Sequence, residues 1–226
     1  MMFNNKKKQL LADGVGDLNS KIELTLVNQK ATEKDVINVL NIAYKNRYLG
    51  VVVFPMFVKI AREYVDKKLD GAIKVIAAVD FPFGASGSSS KINIAKKCFS
   101  DGADEVDVTL SSSSIFDEDY KTIKQELSRI VRASHGRVVK ATIEASFLNR
   151  ESIARLCRVI VKTKVDFIMT NTGFGEGGAT PEVVELMVAS LKGKCQVKAS
   201  GGISNKAVAN DMIRMGASRI GTSRAI

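Results

Sequence analysis

Three glycine-rich runs close the second half of the chain: TGFGEGGAT at 172–180, ASGGIS at 199–204 and GTS at 221–223. Glycine lets backbone N–H groups approach an anion closely, and Ser or Thr hydroxyls add donors, so each run could hold a phosphate. One such run is a weak signal, and three in succession are a strong one. The residue types point to Gly173, Gly201, Gly202, Gly221 and Ser223, with Thr170 and Ser200 beside them, as the groups that would meet a phosphorylated ligand. Immediately before the first run lies DFIM, which puts a thioether, Met169, where a group able to do chemistry would be expected. Charged residues recur in other short runs: EVDV at 105–108, VVKATIEA at 138–145 and VKASGGIS at 197–204. Successive side chains in a strand point to opposite faces. With Val106 and Val108 on one face, Glu105, Asp107 and Thr109 share the other. The same alternation groups Lys140, Thr142 and Glu144, then Lys198 and Ser200, and on an earlier run Glu23 and Thr25. Converging charges are costly to bury, which favours function, although a buried ion-pair network serving stability alone is the competing reading.

A scaffold must bring these faces together. Short β-rich runs are expected at 22–26, 50–54, 73–79, 105–109, 138–144, 167–170, 196–199 and 219–221, with amphipathic stretches between them. Thr32 with Asp35 reads as a capping box, and Thr180 before Pro181 as an N-cap followed by proline at the first helical position. Gly50, Gly71, Gly102, Gly136 and Gly216 are each expected to close a helical run ahead of a strand. Eight βα alternations in 226 residues predict one domain, a (β/α)8 TIM barrel, whose functional groups gather at the C-terminal ends of the strands. Residues 4–18 read as an extra helix, making 1–20 an N-terminal helical extension, and the usual last barrel helix is expected to be missing or very short. Either that extension or a second subunit would cover the exposed flank, so a homodimer is a possible arrangement.

Composition removes several alternatives. The single histidine, His135, reads as a surface residue at a helix end and makes a Ser-His-Asp triad or a multi-histidine metal site hard to build. Three scattered cysteines, Cys98, Cys157 and Cys195, fit a reduced, cytoplasmic setting better than a disulfide framework. No apolar run is long enough for a transmembrane helix or a signal peptide, so no membrane partner is expected. The net charge is +10, yet Lys6–Lys8 is the only basic run and there is no Trp. That pattern reads as a solvated surface that concentrates phosphorylated anions, and nucleic acid is not expected as a partner.

Taken in order, IELTL, VVFP, VDFPFG, EVDV, VVKATIEA, DFIMTNTGFGEGGAT, VKASGGIS and RIGTS resemble the deoxyribose-phosphate aldolase family of class I aldolases, over roughly residues 20–224. The resemblance implies a metal-free and cofactor-free lyase of deoxyribonucleotide catabolism, acting on a small phosphorylated sugar. Its reaction is the reversible cleavage of 2-deoxyribose 5-phosphate to glyceraldehyde 3-phosphate and acetaldehyde. It also implies roles: a Schiff-base lysine on the sixth strand, Lys198 as the second cation that depresses that lysine's pKa, and Asp107 with Lys140 in proton relay. The position of the Schiff-base lysine falls on Met169. Other departures are Asn171 for a serine, Ser204 for a phosphate-facing arginine, Glu23 for an aspartate, Val52 for a cysteine, and Arg224 where a small residue follows GTS. Counting Glu23, Asp107 and Glu144 against Lys140 and Lys198 suggests that a lysine at 169 would balance the inward charge. Three accounts stay open: a lysine-to-methionine variant of an active enzyme, a homologue that binds a phosphosugar without Schiff-base chemistry, or a nucleophile relocated to Lys198.

Overall fold

The structure is a computed structural model and describes residues 17–226. Eight parallel strands form a closed barrel in sequence order: β1 (Ile22–Leu26), β2 (Gly50–Val53), β3 (Lys74–Val79), β4 (Glu105–Thr109), β5 (Val138–Thr142), β6 (Phe167–Met169), β7 (Gln196–Ser200) and β8 (Arg219–Thr222). Outside them run α1 (Glu33–Lys45), α2 (Val58–Lys68), α3 (Ser88–Ser100), a short α4 (Ser112–Phe116), α5 (Tyr120–Ala133), α6 (Arg150–Ile160), α7 (Pro181–Leu191) and α8 (Lys206–Arg214). Among the described residues after β8, Ser223–Ile226 form no helix, and Ile226 exchanges hydrogen bonds with the Tyr48 hydroxyl at 2.7 and 3.0 Å. Most of the helix expected for residues 4–18 lies outside the described residues. Its last residues enter a 3-10 turn, Leu18–Lys21, capped by Asp17.

Strand alternation decides which residues meet the helices. Leu24, Val51, Val75, Val106, Val108, Ala141, Ile168, Val197 and Ile220 lie in one continuous apolar core shared with the helices. Each fully buried aliphatic side chain of this kind contributes about 1.5–3 kcal/mol. The opposite faces fill the barrel, and they are not uniform. On the β1–β3 side Val27, Val52, Ile76 and Ala78 form a small separate apolar cluster with Phe54 and Phe81 packed against it. The remaining arc carries the charged residues.

The termination signals hold with one correction. Thr32 and Asp35 form a capping box on α1, Thr180 caps α7 ahead of Pro181, and Gly71, Gly102, Gly136 and Gly216 have positive φ. Gly50 does not close a helix. It is the first residue of β2, where an added Cβ would lie 2.7 Å from the Lys74 carbonyl oxygen, and Arg47 takes the left-handed conformation at that junction. Several strand ends also differ from expectation. The strand β5 stops at Thr142, short of Glu144, β2 and β6 each end one residue early, β3 begins one later, and β7 and β8 each run one further.

Candidate functional site

The register carries inward residues of neighbouring strands to one level. Asp107 pairs with Lys140, Lys140 with Phe167, Lys198 with Arg219, and Gly221 with Glu23. The result is one buried ion cluster. Lys140 Nζ lies 2.7 Å from Glu105 Oε2, 2.9 Å from Asp107 Oδ1 and 3.1 Å from Glu23 Oε1. Lys198 Nζ bridges Glu23 and Asp107, at 2.5 Å from the latter. Arg219 closes the ring on Glu23 at 2.9 Å and on Glu105 at 3.4 Å, with its guanidinium 4.9 Å from the centre of the Phe167 ring. Burial alone would raise the Glu23 carboxyl, yet Lys140, Lys198 and Arg219 outweigh it and hold the group down at about 2. Glu105 is likewise below the ordinary carboxylate range: burial opposes this, and Lys140 overcomes it. Burial would lower the Lys140 amine, but Asp107, Glu23 and Glu105 together raise it above the usual lysine range.

This geometry corrects the charge count made from the sequence. Three carboxylates, Glu23, Glu105 and Asp107, face three cations, Lys140, Lys198 and Arg219, with Lys74 on Glu105 from the rim. The cluster is balanced without a lysine at 169. Glu144, counted inward by alternation, belongs elsewhere. Because β5 has ended, its backbone turns left-handed, with φ 47 and ψ 62. Its carboxylate reaches the loop after β6, accepting from the Thr172 N–H at 3.0 Å, the Thr172 hydroxyl at 2.5 Å and Asn171 Nδ2 at 2.9 Å.

Met169 is 5 % exposed and pairs in register with Thr142 on one side and Lys198 on the other. Above it the three glycine-rich loops converge on a cavity of about 480 Å³, whose lining includes Thr25, Thr172, Gly173, Ser200, Gly201, Gly202, Ser204, Gly221, Ser223 and Arg224. Close backbone packing shapes it. A Cβ on Gly178 would lie 2.6 Å from the Gly201 carbonyl oxygen, which also accepts from the Ala179 N–H at 3.0 Å. Six of the seven residues expected to meet a phosphate line this cavity. Thr170 does not: it is fully buried, and its hydroxyl ties β6 to β7 by donating to the Ser200 carbonyl at 2.8 Å. Thr172, Thr222 and Arg224 also line the cavity, outside the set expected from the sequence. The first two lay within the glycine-rich runs, so position in those runs was the available signal.

Among the described residues, no lysine lines this cavity. Lys140 and Lys198, 0 % and 1 % exposed, stay below it in the ion cluster. Cys98, Cys157 and Cys195 have thiols pushed up to about 12, chiefly by burial, so none supplies a ready thiolate. No three or more His, Cys, Asp or Glu side chains are grouped as a metal ion would require, among the described residues.

A closed parallel barrel of eight βα units, with a glycine-built cavity at the C-terminal ends of its strands and a buried lysine–carboxylate cluster beneath it, is a TIM barrel with its candidate site where such barrels carry theirs. The chain matches the DeoC/LacD family aldolase description over residues 20–224 and belongs to that family. It is 36 % identical to the deoxyribose-phosphate aldolase of Thermococcus kodakarensis, covering 91 % of this chain and 92 % of that protein. It is also 36 % identical to the deoxyribose-phosphate aldolase of Treponema denticola, covering 93 % and 97 %. Among solved structures it is similar to an aldolase designated QR15, with a TM-score of 0.87 and 34 % identity over 92 % of this chain and 91 % of the other. The tetrameric deoxyribose-phosphate aldolase of Aeropyrum pernix also aligns with a TM-score of 0.87, at 28 % identity, covering 95 % and 92 %.

Proposed function

We propose that this chain is a phosphosugar-binding barrel of the deoxyribose-phosphate aldolase type that lacks the Schiff-base step. One observation carries the reading: the cavity that suits a sugar phosphate is lined by no lysine among the described residues, and Met169 stands where the family resemblance puts the nucleophile. The ligand class follows from the glycine cradle and from relatives named for deoxyribose phosphate. Gly173, Gly201, Gly202 and Ser223 would hold the phosphate, leaving the carbonyl end to point down the barrel toward Met169. Asp107 and Lys140 retain a proton-relay arrangement, joined at 2.9 Å. Without an amine to make the iminium, however, the carbon–carbon bond has no electron sink. A place in cytoplasmic deoxyribonucleotide metabolism accompanies this reading.

A second reading keeps the enzyme, and one observation favours it: Lys198 is the register partner of Met169. As nucleophile, Lys198 would have to leave Glu23 and Asp107 and reach across a strand spacing of about 4.8 Å, where positioning tolerates about 1 Å. Calorimetry with 2-deoxyribose 5-phosphate, followed by borohydride treatment and mass spectrometry, separates the two. Binding with no lysine adduct and no acetaldehyde is the expected result. A reduced adduct on Lys198 would establish the second reading in place of the first, and absence of binding would remove both.

A further inference from the structure

We propose that Arg224 is the cation that receives the phosphate in this cavity, and that it reaches from the loop after β8 toward the loop after β7. The inference rests on the phosphosugar reading and adds to it a binding group outside the glycine cradle. Of the described residues lining the cavity, Arg224 alone carries a charge; the others are glycines, hydroxyl residues and apolar side chains. Its side chain is exposed, and it makes no ion pair among the described residues.

The backbone beneath it is held in place. The Thr222 hydroxyl lies 2.8 Å from the Ile203 carbonyl oxygen, 3.1 Å from the Arg224 carbonyl oxygen and 3.2 Å from the Arg224 N–H. One hydroxyl therefore knits residues 222–224 to the residue just before Ser204. Positions 204 and 224 border the same cavity from two loops joined at that point. A second space of about 690 Å³, bordered by Lys30, adjoins it across Phe174, and Arg224 lines both. No carboxylate among the described residues lines either space, so nothing there competes with an anion for the guanidinium. A planar guanidinium offers parallel N–H donors that match two phosphate oxygens, which a lysine does not reproduce. The ligand class is a phosphate monoester, bound with its phosphate displaced toward the β8 side of the cradle.

The test measures affinity for 2-deoxyribose 5-phosphate and for inorganic phosphate, with the melting temperature recorded for each protein. The parent is measured first, because failure of the parent to bind either probe overturns the phosphosugar reading itself. Given binding by the parent, Arg224→Ser is expected to weaken both probes by about tenfold to a hundredfold, the range for losing a charge-assisted contact, with the melting temperature unchanged. Arg224→Lys is expected to fall between parent and Arg224→Ser. Ser204→Arg, added to Arg224→Ser, is expected to recover most of the affinity, because both positions border one space. Parent-like affinity in Arg224→Ser overturns the assignment, and a double variant as weak as the single one overturns the reach between the loops.

Discussion

At the scale of the residue, the proposed loss of Schiff-base chemistry turns on Met169. The ion cluster below the cavity is closed, with three carboxylates answered by three cations, two of them fully buried and Arg219 partly so. A lysine at 169 would find no carboxylate left over and a like charge on Lys198, its register neighbour. Both circumstances favour the neutral amine, the form that attacks carbonyls. On the proposed reading, Met169→Lys is therefore expected to confer Schiff-base activity. The signs would be acetaldehyde release from 2-deoxyribose 5-phosphate and a borohydride-reduced adduct on residue 169. Burying that amine is expected to cost about 2 kcal/mol, a drop of roughly 4–8 °C in melting temperature for a domain of this size. A folded Met169→Lys protein that binds the phosphosugar and forms no adduct would show that Glu23, Asn171 or Ser204 also blocks the chemistry.

At the scale of the element, the end of β5 positions the loop that follows β6. Glu144 holds a left-handed backbone, a conformation that costs a residue with a Cβ about 1–2 kcal/mol. It keeps that conformation while its carboxylate gathers Thr172 and Asn171 from the neighbouring loop. Substituting glycine separates the two effects, because glycine relieves the backbone and deletes the anchor. Glu144→Gly is expected to change the melting temperature by no more than a few degrees and to weaken phosphosugar binding by about tenfold, measured by calorimetry. Unchanged affinity would mean that the loop keeps its shape without the anchor. The same residue marks how far the pattern of the chain alone can be read. Alternation assigned Glu23, Asp107, Lys140 and Lys198 to the interior, and the glycine-rich runs located the cavity, because both signals are local and periodic. Alternation misplaced Glu144 because it presumes that the strand continues, and β5 ends two residues earlier. Arg219 is not legible in the sequence, because a lone arginine opening a short strand carries no sign of the carboxylates that distant strands bring to it. Thr170, one residue past β6, was read as a ligand group although its hydroxyl is spent joining two strands.

At the scale of the whole molecule, a charged cluster inside the barrel makes stability depend on pH in a definite direction. The Glu23 carboxyl is held at about 2 in the folded chain, below its unfolded value of about 4.3. Its contribution is thus present above pH ~4.3 and is lost as pH falls toward about 2. Lys140 is shifted upward, so its contribution is complete below about 10.4 and is lost as pH rises beyond that value. Between these limits Glu23 and Lys140 are both charged and paired. Acidification also adds positive charge to a chain already at +10, and general repulsion would destabilise it in the same pH range. Glu23→Gln separates the two causes, since it removes one titrating group and leaves the surface unchanged. Urea unfolding at pH 7, 4 and 2.5 is expected to show the parent losing about 2 kcal/mol more than Glu23→Gln across that range. The variant is expected to start from a lower stability at pH 7, because Lys140, Lys198 and Arg219 lose a shared partner. Parallel acid dependence in the two proteins would assign the loss to surface repulsion and leave the buried cluster without a measurable part in acid stability.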